Sequence, residues 1–153
     1  MPLLAAFLMG LVTGSRSMLA PALTAWFCWL GLLRVAGTPM AFMTSGIAVA
    51  VFTVAAIGEL VADKLPQTPS RKAPVGFIAR VVMGVWVGAT VGAAGHALVA
   101  GAVLGVAGAV IGTLGGAAAR ARLAKAFGRD LPAALLEDAV AILMGVFMLL
   151  KLA

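Results

Sequence analysis

Two long stretches of this sequence contain no Asp, Glu, Lys or Arg, and they constrain the fold more than any other feature. The first covers residues 35–58 and the second covers residues 81–119. A helix needs about 20 apolar residues to cross the roughly 30 Å hydrocarbon core of a bilayer. The first stretch is therefore long enough for one crossing. The second is long enough for two crossings joined by a turn, which its polar dip at residues 92–96 supplies.

The overall composition places most of the chain in lipid. Of the 153 residues, 63% are apolar and only 10% are charged, whereas soluble domains carry about 25% charged residues. A soluble domain of this size could not bury so much apolar surface. The length suits one domain, residues 1–153. The net charge of +6 falls mostly in two short connections, where the positive-inside rule accounts for it, and does not indicate a nucleic-acid partner.

The first apolar stretch, residues 3–33, is too long for one ordinary crossing. Polar residues at positions 13–17 and then Pro21 interrupt it, and proline disfavours helical geometry at the residue before it. Two interpretations fit. One is a single long, kinked helix. The other is a short re-entrant helix over residues 3–14, an elbow, and a crossing helix over residues 18–34. We slightly favour the broken form.

Four further crossings follow, which gives an all-α, polytopic bundle of about five crossings. The first three are predicted at residues 41–63, 76–95 and 99–121. The last begins at Asp130, a good N-cap with Pro132 tolerated in the first turn, and runs to about residue 152.

The distribution of basic residues predicts the orientation. They concentrate in the second and fourth connections, with few elsewhere. The second connection holds Lys64, Arg71 and Lys72, with Arg80 nearby, and the fourth holds Arg120, Arg122, Lys125 and Arg129. Both connections are therefore expected on the cytoplasmic side. With five crossings, the N-terminus lies in the cytoplasm and the C-terminus outside.

Glycines recur at helical spacing along three of the predicted helices, and such stripes let backbones approach closely in membranes. They are Gly10 and Gly14 in the first, Gly84, Gly88 and Gly92 in the third crossing, and Gly101, Gly105, Gly108 and Gly112 in the fourth. Tight packing within one chain and a homo-oligomer built across one stripe both fit. A short echo between residues 9–14 and 83–88 also fits two inverted halves of three segments each, as in many transporters.

Polar residues predicted at membrane depth are the candidate site, because buried charges in membranes commonly mark pathways. The set comprises Ser15, Arg16 and Ser17 at the elbow, Glu59, Asp63 and Lys64, Arg80, and Glu137 with Asp138. Glu59 and Asp63 share one helical face and repel each other, whereas Lys64 points off that face. The carboxylates either neutralise Arg16, Arg80 and Arg120 and lock the cytoplasmic ends of the helices together, or the charges line a polar vestibule for an ion or small solute.

The sequence contains few of the residues that enzyme active sites commonly use. The chain has one histidine, His96, and no tyrosine. No Cys or His spacing matches a zinc site, and no glycine-rich stretch carries the lysine of a phosphate-binding loop. We therefore expect no enzyme activity, no metal and no cofactor.

Several strings together resemble a known family. They are Gly14-Ser-Arg16-Ser-Met, Gly58-Glu59-Leu60-Val-Ala-Asp63-Lys64-Leu-Pro66, Ala79-Arg80-Val-Val-Met-Gly84 and Leu136-Glu137-Asp138-Ala-Val-Ala. Across nearly its whole length the chain resembles the small bacterial membrane proteins grouped as domain of unknown function 4126. The resemblance implies a polytopic protein of the bacterial inner membrane and draws attention to the same charged residues. It implies no substrate.

The sequence thus favours a small channel or transporter-like protein for an ion or small polar solute. The alternative is a non-transporting scaffold or assembly partner whose basic loops hold anionic lipid head groups. A water-accessible cavity lined by Arg16, Glu59 or Glu137 would favour transport. A dry core with every charge paired would favour the scaffold.

Overall fold

The computed structural model describes residues 1–65 and 73–153, and in these ranges the chain is helical with no β-strand. The all-α prediction is confirmed for this part of the chain. Most of the predicted basic second connection, including Arg71 and Lys72, lies outside the described residues. The elements are α1 (Pro2–Ser15), α2 (Leu19–Trp29), a 3₁₀ helix (Pro39–Thr44), α3 (Gly46–Ala62), α4 (Pro74–Ala94), α5 (Leu98–Phe127) and α6 (Asp130–Leu150).

Three of these helices, α4, α5 and α6, are long and apolar enough to cross a membrane. They lie close to the crossings predicted at residues 76–95, 99–121 and 130–152, although α5 continues about two turns further, to Phe127. The helices α1, α2 and α3 are apolar but shorter, with 14, 11 and 17 residues. The five predicted crossings are therefore not confirmed.

The first segment is broken and folds back on itself. Helix α1 ends at Ser15, Arg16 has extended backbone angles (φ −138°, ψ 102°), and α2 begins at Leu19. Pro2, at the start of α1, and Leu33, just after α2, line one small cavity together with Gly95 in the α4–α5 turn. Both ends of the segment therefore lie at the same end of the bundle. Residues 2–29 form a helical hairpin with its tip at residues 16–18, not a single kinked helix.

The remaining helices run alternately between the two ends. We call the end that holds Lys64 and the α5–α6 connection the basic end, and the end that holds Gly95 the opposite end. Helix α3 runs antiparallel to α2, because Trp26 Nε1 donates to Thr53 Oγ1 at 3.0 Å while Met18, earlier in the chain, contacts Glu59. The six helices thus form two sets of three, α1–α3 and α4–α6, which start from opposite ends.

The two ends of the chain lie at the same end of the bundle. Met1 and Leu152 line one cavity, so both termini lie at the opposite end, away from the basic connections. The sequence-based orientation put the N-terminus with the basic connections and the C-terminus away from them. The structure does not show this arrangement of the termini, and the side of the membrane on which each terminus lies stays a prediction.

Glycines bring α1 and α4 into backbone contact with α5. A Cβ added at Gly88 would lie 2.8 Å from the Cα of Gly105, and one added at Gly112 would lie 2.9 Å from the Cα of Leu11. These separations are too short for any side chain. Gly101 lies against α4, Gly108 and Gly112 lie against α1, and Gly105 lies against both, next to Gly88 and Gly10. The glycines of α5 therefore serve two neighbouring helices within the same chain.

The predicted N-cap of α6 is wrong in its detail. The N-cap position is Arg129, without a side-chain cap, and Asp130 is the first helical residue. The carboxylate of Asp130 accepts hydrogen bonds from Arg120 instead. A guanidinium offers two parallel donors to a carboxylate, which is a stronger arrangement than a single backbone N–H.

Candidate functional site at the tip of the hairpin

Arg16, at the tip of the hairpin, is completely buried and faces three carboxylates. Its Nε donates to Asp138 Oδ1 at 2.6 Å. Its Nη2 lies 2.9 Å from Asp63 Oδ2 and 3.5 Å from Glu137 Oε2, as ion pairs that lack hydrogen-bond alignment. Nη1 donates to the carbonyl of Ser15 at 3.1 Å. One buried cation thus ties the hairpin to the end of α3 and to α6.

Two further cations extend this arrangement into a network. Arg120 on α5 pairs with Asp63, lies 3.7 Å from Glu137 and donates through Nε and Nη2 to Asp130 at 2.9 and 2.6 Å. Lys64 Nζ donates to Asp138 Oδ2 at 2.6 Å and to the carbonyl of Leu60 at 2.8 Å. We call the seven residues the charge cluster: Arg16, Asp63, Lys64, Arg120, Asp130, Glu137 and Asp138.

Glu59 has a different role, because it caps the second half of the hairpin. Its Oε1 accepts from the backbone N–H of Ser17 at 2.8 Å and from the Ser17 hydroxyl at 2.6 Å. Its Oε2 accepts from the N–H of Met18 at 2.8 Å. Met18 is the N-cap of α2 and offers no side-chain cap. A carboxylate from α3 therefore satisfies the free N–H groups and the positive dipole at the start of α2.

These contacts use every acidic residue of the chain. The sequence contains five Asp and Glu residues, of which four belong to the charge cluster and the fifth is Glu59. Burial is deep for most of the cluster: the exposed fraction of the side chain is 1% for Arg16, whereas Asp130 at the rim is 60% exposed. Asp138 lies eight residues after the start of α6, about 12 Å along the helix axis. The cluster is therefore inside the bundle, in the half nearer the basic end.

The predicted site residues mostly come together. Arg16, Asp63, Lys64, Glu137 and Asp138 form one network, with Ser17 and Glu59 beside it, and Ser15 contributes its carbonyl. Lys64 pairs with Asp138 on α6. Arg80 is buried on α4, where its Nη1 donates to the carbonyl of Gly76 at 2.9 Å.

Arg120 and Asp130 belong to the cluster, although Arg120 was predicted only as a structural partner of the carboxylates and Asp130 only as the N-cap of α6. Arg120 directly follows the charge-free stretch, and Asp130 is the first residue of α6. In the sequence, each charge can therefore be explained locally, as a residue near the end of a predicted helix. Ten residues separate them, and Asp63 lies 57 residues before Arg120. The sequence signal that could have found them is the shortage of acids, since five carboxylates must serve every cation buried at membrane depth.

Two cavities reach the rim of the cluster. The first, of about 270 Å³, is a groove on the side of the bundle where α5 and α6 flank α1. We call it the lateral groove; its lining is apolar apart from Ser15, Arg120 and Glu137. The second, of about 260 Å³, lies beside Asp63, Lys64 and Asp130. Arg16 lines neither. Among residues 1–65 and 73–153, no group of three or more His, Cys, Asp or Glu side chains is placed to hold a metal ion.

Comparisons of this chain with protein families, with curated proteins and with solved structures find no match. The resemblance to the domain of unknown function 4126 family remains a prediction from the quoted strings. The geometry of the site is therefore the basis for a functional argument.

Proposed function

We propose that this protein is a small transporter-like membrane protein that moves an ion or a small polar solute past the charge cluster, with access from the basic end. The observation that carries the proposal is Arg16. It is fully buried at the tip of a helical hairpin, and three carboxylates from α3 and α6 share it.

Stability alone is a weak reason for such a network. Removing charged groups from water costs several kcal/mol per ion, and apolar replacements of buried ion pairs are often as stable or more stable. Charged side chains within membrane segments are accordingly rare, and they commonly mark ion, proton or solute pathways. A cluster of seven charged residues inside a chain of 153 fits this second pattern.

The architecture supports the same proposal. Secondary transporters often consist of two inverted sets of helices, with discontinuous helices whose ends meet near the binding site. Here α1–α3 and α4–α6 start from opposite ends of the bundle. The α1–α2 break brings the amides of Ser17 and Met18 to the side of the charge cluster. Irregular backbone at this depth is tolerated where protein or a wet cavity shields it.

The mechanism we propose is competition for the carboxylates. A proton or a cation that reaches Glu137 or Asp63 from the rim would weaken the hold of α6 and α3 on Arg16. Arg16 and the Glu59 cap are the charged attachments of the hairpin tip, beside the hydrogen bond that Thr113 Oγ1 donates to the Gly14 carbonyl at 3.2 Å. Loosening one attachment would let the tip move and open a path beside it.

A second candidate is the non-transporting scaffold, and one observation favours it. The carboxylates of Glu59, Asp63, Asp130, Glu137 and Asp138 all accept hydrogen bonds or ion pairs, and Arg16 is out of reach of both cavities. With all these contacts formed, the charge cluster holds the helices together. The two candidates differ in whether these contacts break during function.

Flux through proteoliposomes distinguishes them. The purified protein would be reconstituted with a pH-sensitive dye inside, and charge movement would be recorded during jumps of pH, monovalent cations and small organic anions. Under the transport proposal, wild-type protein produces a saturable signal that Asp138→Asn and Arg16→Lys reduce at least about tenfold. A 1.4 kcal/mol change in an essential interaction already corresponds to a factor of about ten.

Arg34→Gln is the control, because Arg34 is an exposed cation outside the cluster. It should retain wild-type flux. Absence of any signal from well-folded wild-type protein across the panel, or equal flux in Asp138→Asn and Arg34→Gln, would support the scaffold instead.

For localisation, we propose the bacterial inner membrane with the basic end in the cytoplasm. The basic side chains of the α5–α6 region support this side by the positive-inside rule. With the hairpin at the opposite end, both termini would then lie outside the cytoplasm.

A further inference from the structure

We infer that the lateral groove holds one acyl chain of an anionic phospholipid from the leaflet at the basic end, with its head group among the basic residues at the end of α5. The inference does not require transport, because it concerns lipid binding in a groove on the side of the bundle, where Arg120 and Glu137 of the charge cluster form part of the polar end.

The groove is apolar along most of its length and polar at one end, so its lining matches an amphiphilic molecule. Its deep part is lined by Leu11, Gly112, Gly116, Val140, Ala141 and Met144. Its polar residues Ser15, Arg120 and Glu137 lie towards the basic end, next to Leu123 and Leu136. An occupant therefore needs an apolar body pointing to the middle of the membrane and a polar end pointing to the basic end. A phospholipid of that leaflet has this orientation.

The size and position of the groove suit a single chain. On α5 its lining runs from Gly112 to Leu123, roughly 16 Å along the helix axis. Gly112 and Gly116 are among the residues that line this part of α5. Because the groove opens on the apolar side of the bundle, lipid is the solvent that reaches it.

The basic residues next to the groove favour a lipid with an anionic head group. Arg122, Lys125 and Arg129 are exposed within two turns of Leu123. Within residues 1–65 and 73–153, no carboxylate pairs with these three side chains, because the charge cluster and the α2 cap occupy all five acids. Long basic side chains extend along a membrane surface to reach polar groups. Each basic residue near the surface contributes about 1 kcal/mol towards anionic lipid, a factor of about five in affinity.

The test is retention of lipid by the purified full-length protein. It would be reconstituted in bilayers of equal parts phosphatidylglycerol and phosphatidylcholine, extracted in mild detergent, and its bound lipid quantified by mass spectrometry. We expect retained phosphatidylglycerol to exceed phosphatidylcholine by at least about fivefold. Val140→Trp, which fills the groove, should lose most of the retained lipid. Val54→Trp, at a lipid-facing position of α3 outside the groove, should retain it.

A second pair of variants tests the charge. Arg122→Gln/Lys125→Gln should retain lipid but lose the preference for phosphatidylglycerol. The control, Arg34→Gln/Lys151→Gln, removes two exposed cations at the opposite end and should keep that preference. Equal retention in Val140→Trp and Val54→Trp overturns the inference, and so does an unchanged preference in Arg122→Gln/Lys125→Gln.

A measurement on the wild-type chain covers the case in which Val140→Trp fails to fold. Phosphatidylglycerol with a photoactivatable acyl chain should crosslink mainly to residues 112–123 and 136–144. Labels spread evenly over the lipid-facing helices would overturn the inference. A crosslink between two protein copies through a cysteine placed at Val140 would assign the groove to a second copy, and would overturn it as well.

Discussion

The Nε of Arg16 donates to Oδ1 of Asp138 at 2.6 Å, and this bond joins the tip of the hairpin to α6 across 122 residues of sequence. Both side chains are buried. Because neither partner can exchange its contact for water, the pair holds the hairpin in its folded-back position.

Loss of this bond should destabilise the protein strongly. Asp138→Ala leaves Arg16 and Lys64 short of a carboxylate, and removal of one partner from a buried pair costs about 3–5 kcal/mol. Asp130→Ala is the matched control, because its side chain is 60% exposed and exposed pairs contribute about 0–1 kcal/mol. Reversible unfolding in mixed micelles measures both. Equal free energies of unfolding for the two variants would contradict the buried role of Asp138.

Removal of the Glu59 carboxylate should loosen the start of α2. Glu59→Ala deletes three hydrogen bonds to Ser17 and Met18, and hydrogen bonds to charged groups contribute about 1.5–3 kcal/mol each. Glu59→Gln keeps an acceptor and should fall between the alanine variant and wild type. Hydrogen exchange at the amides of Ser17 and Met18 should accelerate in the same order. Ile57→Ala, at an exposed position of the same helix, should leave that exchange unchanged.

Alanine substitutions at two glycines of α5 should have opposite effects. Gly105→Ala places a Cβ 2.8 Å from the Cα of Gly88, and overpacking of this kind costs about 1–3 kcal/mol. Gly115→Ala meets no atom within 4 Å, so helix propensity should stabilise it by up to about 1 kcal/mol. Thermal unfolding followed by circular dichroism compares the two. A Gly105→Ala protein as stable as Gly115→Ala would exclude the backbone contact between α4 and α5.

The hairpin predicts which positions share a side of the membrane. In a Cys28→Ala background, cysteines introduced at Met1, His96 and Ala153 should react with a membrane-impermeant thiol reagent from one side, and a cysteine at Lys125 from the other. The reason is that α1 and α2 together return to the opposite end. Labelling of the Met1 and Lys125 positions from the same side would show instead that the first segment crosses the membrane.

From local sequence alone one can predict that the chain is helical, that it has helices long and apolar enough to cross a membrane, and where the longest of them lie. These properties depend on local information, namely the length of the charge-free stretches and the positions of Gly, Pro and charged residues. The break after Ser15 was one of two interpretations, slightly favoured over a kinked helix because Gly14, Arg16 and Pro21 interrupt an apolar stretch. Most of the charge cluster was predicted for the same reason, since few charged residues occur away from the connections.

Other properties became visible only from contacts in the folded chain. Helix α2 returns to the opposite end of the bundle, Arg120 pairs with Asp63 and Asp130, and Gly105 lies against both α1 and α4. These outcomes depend on contacts between residues far apart in the chain. Glu59 is the clearest case: its position on α3 is local, but its capping of α2 exists only because the hairpin brings Ser17 and Met18 within 3 Å of its carboxylate.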